Sequence, residues 1–315
     1  MTTLRNNFGK GEWGVAAGAG FISFAAVLVK LAAASGMAPT SIGLWRVGVA
    51  SVVCWGLFFF GAKQLALPRK ARRMALFAGL CFAADLFFWH KSILAVGVGM
   101  ATMLASTQVF WSALVAKFVL GDNLSPRLLL GALIGLLGVT FLVGIGSQIS
   151  FTPEYVFGLG FGFATGVSYA GYILSIRQAS IEFELFAARE PVQAGSKLTR
   201  TTGILAYSTL ASTVGLLVLA TLESSQLAPP STQAFVFCLL LAIGPHVLGW
   251  MFISLALPKV QASVGALILL SQPLLATVWG VLFFREELTA LQCCGAVLVL
   301  VGLYLGNSRS GPAGK

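Results

Sequence analysis

Charged side chains are scarce in this 315-residue chain: only 10% of it is Asp, Glu, Lys or Arg, while 57% is hydrophobic. A soluble domain carries more charge on its surface, and no soluble core needs so much apolar area. A membrane-spanning helix needs about 20 mostly apolar residues, and such runs follow one another along the chain. The sequence therefore predicts an all-α integral membrane protein embedded in the lipid bilayer.

Other absences exclude whole classes of activity. The chain has only two histidines, His90 and His246, and it lacks HExxH, GxSxG and phosphate-binding loop motifs. Zinc proteases, serine hydrolases and ATPases depend on those motifs, so we expect no enzyme, no metal, no cofactor and no direct use of ATP. The five cysteines lie inside apolar runs without metal-ligand spacing. The net charge of +10 comes from loops rather than from one folded face, which argues against a nucleic-acid partner.

The apolar runs predict ten transmembrane helices joined by short connections. Only the segment between the sixth and seventh spans, at 177–200, is long and polar, and we expect it to lie on the membrane surface. The predicted spans are 12–34, 40–62, 74–95, 97–119, 126–146, 156–178, 201–223, 233–256, 262–284 and 288–306.

The distribution of positive charge predicts the orientation of the protein. If the N-terminus is cytoplasmic, nearly all of the 20 Lys and Arg residues fall on the cytoplasmic side, whereas Lys91 and Arg285 fall on the outer side. Short cytoplasmic loops are enriched in Lys and Arg. Both termini are therefore predicted to be cytoplasmic, and the short loops favour a bacterial inner membrane.

An internal repeat divides the chain into 1–150 and 151–315. Residues 76–143 and 240–307 align without a gap, and the alignment pairs Gln108 with Gln272 and Asp122 with Glu286. It also pairs two glycines of each copy. Because each predicted copy has an odd number of helices, the second copy must enter the membrane upside down. Inverted repeats are typical of transporters, in which the two halves exchange conformations about a midplane site.

With these residues placed, the chain resembles the drug/metabolite transporter (DMT) superfamily of EamA type over nearly its whole length. The segment "LSQPLLATVWGVLFFREELTALQCCGAVLVLVGLYL" is similar to the family's helix 9–10 pattern, and "TSIGLWRVGVAS" resembles its second helix with an inward arginine, here Arg46. Within the family the chain looks most like the YddG-type amino-acid exporters. The resemblance implies two inverted five-helix repeats around a central cavity, and export of small metabolites by alternating access. Two departures stand out: Val109 occupies the position of Pro273, so no kink is expected in the fourth helix, and the seventh helix has no arginine matching Arg46.

The segment "DLFFWHKS" brings an acid, an indole, an imidazole and an ammonium group into an apolar helix. Asp85 and Trp89 are four residues apart and share a helix face. Asp85 is the carboxylate placed deepest in any span, where an unpaired charge costs at least ~2.5 kcal/mol. It is predicted to line a substrate cavity, with an ion pair to Arg46 or Lys30 as the structural alternative. Lys91 is expected to reach water at the end of the span.

The eighth helix offers a related face, because His246 and Trp250 are also four residues apart and follow Pro245. Pro245 and Pro273 are predicted to kink their helices. Polar or aromatic residues at helical spacing in other spans are predicted to extend the lining, since amide, hydroxyl and ring groups can hold a zwitterion with an apolar side chain. The full set of predicted cavity-lining residues is Asp85, Trp89, Gln108, Trp111, Ser168, Tyr169, Tyr172, His246, Trp250, Gln272 and Ser23, with Lys30, Arg46 and His90 as structural or coupling charges.

These features favour a secondary transporter that exports amino acids, aromatic ones included, or similar small metabolites. Movement down a gradient is favoured slightly over proton coupling, because few groups in the spans can titrate near neutrality. The alternative is a proton-coupled exporter of drugs or quaternary ammonium compounds with Asp85 as the counter-charge. The expected partners are a small-molecule substrate and lipid, with a monomer favoured over a dimer.

Overall fold

The computed structural model describes residues 9–61, 67–121, 124–143, 152–190, 196–285 and 288–307. Within these ranges all regular structure is helical. Asp122 and Glu286, which the repeat pairs with each other, lie outside the described residues, as do 1–8 and 308–315.

The elements follow the apolar runs of the sequence, with a short π-helical segment at Ala242–Leu248 and a 3-10 turn at Leu257–Lys259. The helices are α1 Lys10–Ser23, α2 Ala25–Ala34, α3 Pro39–Gly61, α4 Arg69–Ser106, α5 Gln108–Phe118, α6 Pro126–Val143, α7 Pro153–Arg189, α8 Lys197–Leu222, α9 Thr232–Leu241, α10 Gly249–Ala256, α11 Ala262–Ile268, α12 Ser271–Phe284 and α13 Ala290–Asn307.

Six helical stretches are long and apolar enough to cross a membrane, and α6 and α13 contain shorter apolar stretches. The protein is therefore a multi-pass membrane protein, while the count of ten spans and the direction of the termini stay predictions. The six stretches are Lys10–Ala34, Pro39–Gly61, Pro153–Arg189, Lys197–Leu222, Thr232–Lys259 and Ala262–Phe284.

Helix α4 covers the third predicted span and the first part of the fourth, yet it does not run straight. A Cβ on Gly162 of α7 would lie 2.9 Å from Ser92 Oγ and 2.7 Å from Leu104 Cβ. Twelve residues of straight helix would hold those two side chains about 18 Å apart. The chain therefore reverses direction between them, and both arms pack against α7.

Helix α7 continues well beyond the predicted end of the sixth span at residue 178. Its last turns carry Phe183, which is buried, and two acids that face neighbouring cations. Glu182 pairs with Lys70, and Glu184 pairs with Arg200 at 3.1 Å. The first part of the predicted surface loop is therefore helical, because its residues alternate between core contacts and ion pairs.

Glycines allow α6 and α13 to cross at backbone distance. A Cβ on Gly131 would lie 2.5 Å from the carbonyl oxygen of Gly302, and one on Gly138 would lie 2.7 Å from the carbonyl oxygen of Gly295. Small residues let transmembrane helices approach this closely. The contacts are reciprocal under the repeat alignment, because Gly295 is the counterpart of Gly131 and Gly302 is the counterpart of Gly138.

Both halves interrupt a helix at nearly matching positions. Thr107 separates α4 from α5, and Leu269 and Leu270 separate α11 from α12. The helical ladder of the fourth predicted span is thus interrupted close to Val109, while the expectation that this span has no kink stays a prediction. At Thr107 the side-chain hydroxyl donates to the carbonyl of Leu104 at 2.6 Å. Such a local side-chain bond competes with the backbone hydrogen bonds of the helix, so the ladder can be interrupted here although no proline is present.

Candidate functional site

Five aromatic side chains meet deep in the bundle. The ring centroids of Phe82 and Tyr172 are 4.5 Å apart, those of Tyr172 and Trp250 are 4.3 Å apart, and His246 lies 5.3 Å from Phe82. Tyr169 lies 6.2 Å from Trp250. We call these rings, together with Arg46, Asp85 and Gln272, the central cluster.

Arg46 places a positive charge at the edge of this aromatic group. Its guanidinium carbon lies 5.5 Å from the centroid of the Phe82 ring, a distance typical of a cation–π contact. The side chain is only 8% exposed, as is that of Asp85. Among the residues that the structure describes, no Arg46–Asp85 ion pair is formed. The predicted structural pairing is therefore not made through direct contact.

Several buried polar atoms of the cluster have no hydrogen-bond partner within the described protein. They are Nε of Arg46, both ring nitrogens of His246 and Nε1 of Trp250. Buried polar groups are nearly always paired with protein or water, and leaving one unpaired costs about 1–3 kcal/mol. Such a concentration at one place indicates a site for a polar ligand or ordered water. Most of these atoms are donors, so the site suits an acceptor-rich ligand.

The π-helical segment around Pro245 positions His246. Proline lacks the N–H that would continue the helical ladder, and single π-helical turns occur frequently at functional sites. The wider turn brings His246 onto Phe82 of α4, while α10 resumes in time to place Trp250 against Tyr172. The predicted distortion at Pro245 is thus present, whereas Pro273 is the third residue of α12 and follows the break at 269–270.

The two matched glutamines differ in their surroundings. Gln272 Nε2 donates to the hydroxyl of Tyr169 at 3.0 Å, which connects α12 to the central cluster. Gln108 is 1% exposed, donates to the carbonyl of Ala266 at 2.9 Å and accepts from Ser112 at 3.2 Å. Its amide therefore connects α5 to α11.

The remaining predicted residues lie away from the central cluster or have local contacts of their own. The hydroxyl of Ser23 donates to the carbonyl of Gly20 and accepts from Trp279 Nε1 at 2.9 Å. Lys30 is exposed, with its ammonium 4.1 Å from the ring centroid of Phe284. Trp89, Trp111 and Ser168 are half-buried, and Trp111 keeps an unpartnered Nε1.

Sequence analysis missed Phe82 as a member of the site. It contacts Tyr172, His246, Trp250 and the guanidinium of Arg46, which makes it the side chain that links the charge to the rings. A phenylalanine within an apolar helix carries no signal of its own. The repeat alignment did contain one, since Phe82 is the counterpart of His246.

Comparison with known proteins places this geometry in a family context. The EamA-like transporter family matches residues 9–144 and 192–308, one segment in each half of the chain. The pseudopaline exporter CntI of Pseudomonas aeruginosa (strain UCBPP-PA14) is 27% identical over 250 residues, which cover 78% of this chain and 79% of that protein. A solved structure described as "Crystal structure of protein" aligns with a TM-score of 0.73 and 18% identity, over 94% of this chain and 97% of that chain. The likeness to that structure concerns the fold alone.

Proposed function

Since the chain belongs to the EamA-like transporter family, we propose that it is a secondary transporter that exports amino acids, aromatic ones included, or similar carboxylate-bearing metabolites. The observation that carries the proposal is the central cluster, with its buried cation, its aromatic walls and its unpartnered polar atoms. A relative of this chain, at 27% identity, is a pseudopaline exporter.

Arg46 is the proposed anchor for the substrate carboxylate. A guanidinium presents a planar fork of donors that matches a carboxylate, and its Nε has no partner in the described residues. The positive charge is not neutralised by direct contact with Asp85, and an incoming carboxylate would supply the missing partner. Asp85 is then available to the ammonium group of a zwitterion.

The aromatic rings are the proposed contact for the substrate side chain. Tyr172 and Trp250 are each at most 1% exposed and meet edge to face at 4.3 Å, and flat rigid rings accommodate apolar and aromatic groups with little loss of entropy. Since Trp250 Nε1 is unpartnered, the indole can also donate a hydrogen bond to the substrate. Amphipathic metabolites of modest size fit this combination.

Alternating access is the proposed mechanism. Arg46 and Asp85 come from the first proposed repeat, whereas Tyr169, Trp250 and Gln272 come from the second, so motion between the halves changes the site's access to either side. The reciprocal contacts of α6 and α13 support such a pseudo-symmetric frame. We expect export across the inner membrane to run downhill, with both termini cytoplasmic and the protein acting as a monomer.

The carboxylate of Asp85 also suits a second class of substrate, a cation. Asp85 follows Phe82 by one helical turn on α4, and aromatic rings are what proteins use to hold quaternary ammonium ions, so export of cationic drugs coupled to protons is the alternative. The buried guanidinium of Arg46 counts against it, because a second cation in the same site would be repelled.

Uptake into liposomes that contain the purified protein tests the proposal. Labelled phenylalanine and threonine would be offered with and without an imposed pH gradient, for the wild type and for Asp85→Asn. Saturable uptake without a gradient is expected, and it should persist in reduced form in the variant. The absence of uptake for both amino acids under both conditions, together with transport of a cationic dye, would replace the proposal with the drug-export alternative.

A further inference from the structure

A second polar site lies at the end of the bundle where α3 begins and α8 ends. A pocket of about 250 Å³ opens there between residues 38–40, His90 and Lys91 of α4, and Glu223 and Ser225 after α8. Drug-sized ligands occupy pockets of about 300 Å³ or more. This pocket is therefore of a size for a small metabolite.

The pocket contains one charge of each sign side by side. Lys91 forms an ion pair with Glu223, and the hydroxyl of Thr40 donates to the second carboxylate oxygen of Glu223 at 2.9 Å. The side chains are partly exposed, Lys91 at 37% and Glu223 at 19%, so both face the pocket. Surface ion pairs stabilise a protein only weakly, but the Glu223 oxygen that faces Lys91 is itself buried, so a ligand that displaces Lys91 has to supply a cation in its place.

His90 connects this pocket with the central cluster. Its imidazole is 5% exposed, lines the pocket, and has an Nδ1 without a partner in the described structure. Its ring lies against α3 close to Arg46, since a Cβ on Gly43, three residues before Arg46, would lie 3.2 Å from Cε1 of His90. Six residues of helix separate Lys91 from Asp85, a rise of about 9 Å. A solute that leaves the cluster along α4 therefore reaches the pocket after a short step.

The walls of the pocket are held by fixed contacts rather than by the ion pair alone. The hydroxyl of Ser41 donates to the carbonyl of Gln226 at 2.6 Å, and Trp45 Nε1 donates to the carbonyl of Leu227 at 2.7 Å. These bonds tie the segment after α8 to the start of α3. Opening the pair can therefore admit a ligand while the frame of the pocket stays in place.

We propose that the pocket is an exit subsite for zwitterions, in which the substrate carboxylate takes the place of Glu223 beside Lys91 and the substrate ammonium takes the place of Lys91 beside Glu223. The proposal rests on the proposed function, because it concerns the path of the same cargo. The resting ion pair imitates the ligand and closes the path until a zwitterion exchanges with it.

Transport from each side of the membrane separates this role from a merely structural one. Right-side-out and inside-out vesicles from cells that express Lys91→Met or Glu223→Gln would be offered labelled phenylalanine. We expect KM to rise about tenfold from the side on which the pocket opens and to stay within twofold from the other side. Lys70→Met removes another surface ion pair, that with Glu182, and serves as the control with unchanged KM on both sides.

The charge-swapped double variant Lys91→Glu/Glu223→Lys completes the test. A structural ion pair would be restored by the swap, so wild-type KM on both sides would overturn the exit subsite, as would variants that change both sides equally. Continued impairment from the pocket side alone supports it. If the wild type itself moves no phenylalanine, the proposed function fails and the exit subsite fails with it. If the wild type transports phenylalanine and the variants transport it equally well, only the exit subsite fails.

Discussion

Removing the charge of Arg46 should weaken substrate binding without weakening the fold. Arg46 is 8% exposed, its Nε is unpartnered, and within the described structure it forms no ion pair. A hydrogen bond to a charged group contributes about 1.5–3 kcal/mol, and each 1.4 kcal/mol is a factor of about ten. Arg46→Met is therefore expected to raise the Kd for phenylalanine by about 10- to 150-fold.

The stability of the same variant separates binding from folding. A buried charge without a direct partner is costly to hold, so replacing it by Met should leave the thermal midpoint unchanged or raise it. Arg46→Lys keeps the charge but loses the planar fork, and its affinity should fall between those of the wild type and Arg46→Met. Lys30→Met is the matched control, because Lys30 is another cation of the spans but packs over Phe284, outside the cluster.

Calorimetric titration of purified protein with phenylalanine and with 2-phenylethylamine, which lacks the carboxylate, measures these differences. The loss in Arg46→Met should appear with phenylalanine and not with the amine. Equal affinity of wild type and Arg46→Met for phenylalanine would refute the carboxylate anchor. A loss of binding accompanied by a lower thermal midpoint would show instead that Arg46 is structural.

Two further predictions concern packing and pH. Gly138→Ala should lower the thermal midpoint, because its Cβ would lie 2.6 Å from the backbone nitrogen of Val299 and overpacking of this kind costs about 1–3 kcal/mol. Gly160→Ala is the control, because a Cβ there meets nothing within 4 Å. Equal midpoints for the two variants would contradict the close crossing of α6 and α13. Burial raises the pKa of Glu223, but the hydrogen bonds from Lys91 and Thr40 outweigh it and bring the pKa below its ordinary 4.5. The pair with Lys91 is therefore complete above pH 4.5 and is lost as pH falls through the lowered value. KM from the pocket side should therefore rise as pH falls below 4.5, and a constant KM in that range would contradict this.

Much of the helical architecture could be predicted because lipid imposes long apolar runs, which composition reveals directly. The extension of α7 and the break at Thr107 could not be predicted. The first depends on ion pairs with Lys70 and Arg200, which are distant in sequence, and the second arises from a local side-chain hydrogen bond where no proline marks it. Helical spacing identified Asp85, His246 and Trp250, because polar groups are unusual in such runs. It did not identify Phe82, whose place in the cluster depends on tertiary packing.

The crossing of α6 and α13 is symmetric under the repeat alignment, whereas the central cluster is not, and the two have different consequences for transport. The reciprocal contacts Gly131–Gly302 and Gly138–Gly295 are of the kind that a two-fold axis imposes, and a frame of this kind can present the same cavity to either side. Arg46, in contrast, has no arginine counterpart in α8, so under the proposed function one anchor would hold the carboxylate in both states. Loss of Arg46 should therefore weaken transport from both sides of the membrane, whereas loss of Lys91 or Glu223 should weaken it from one side only.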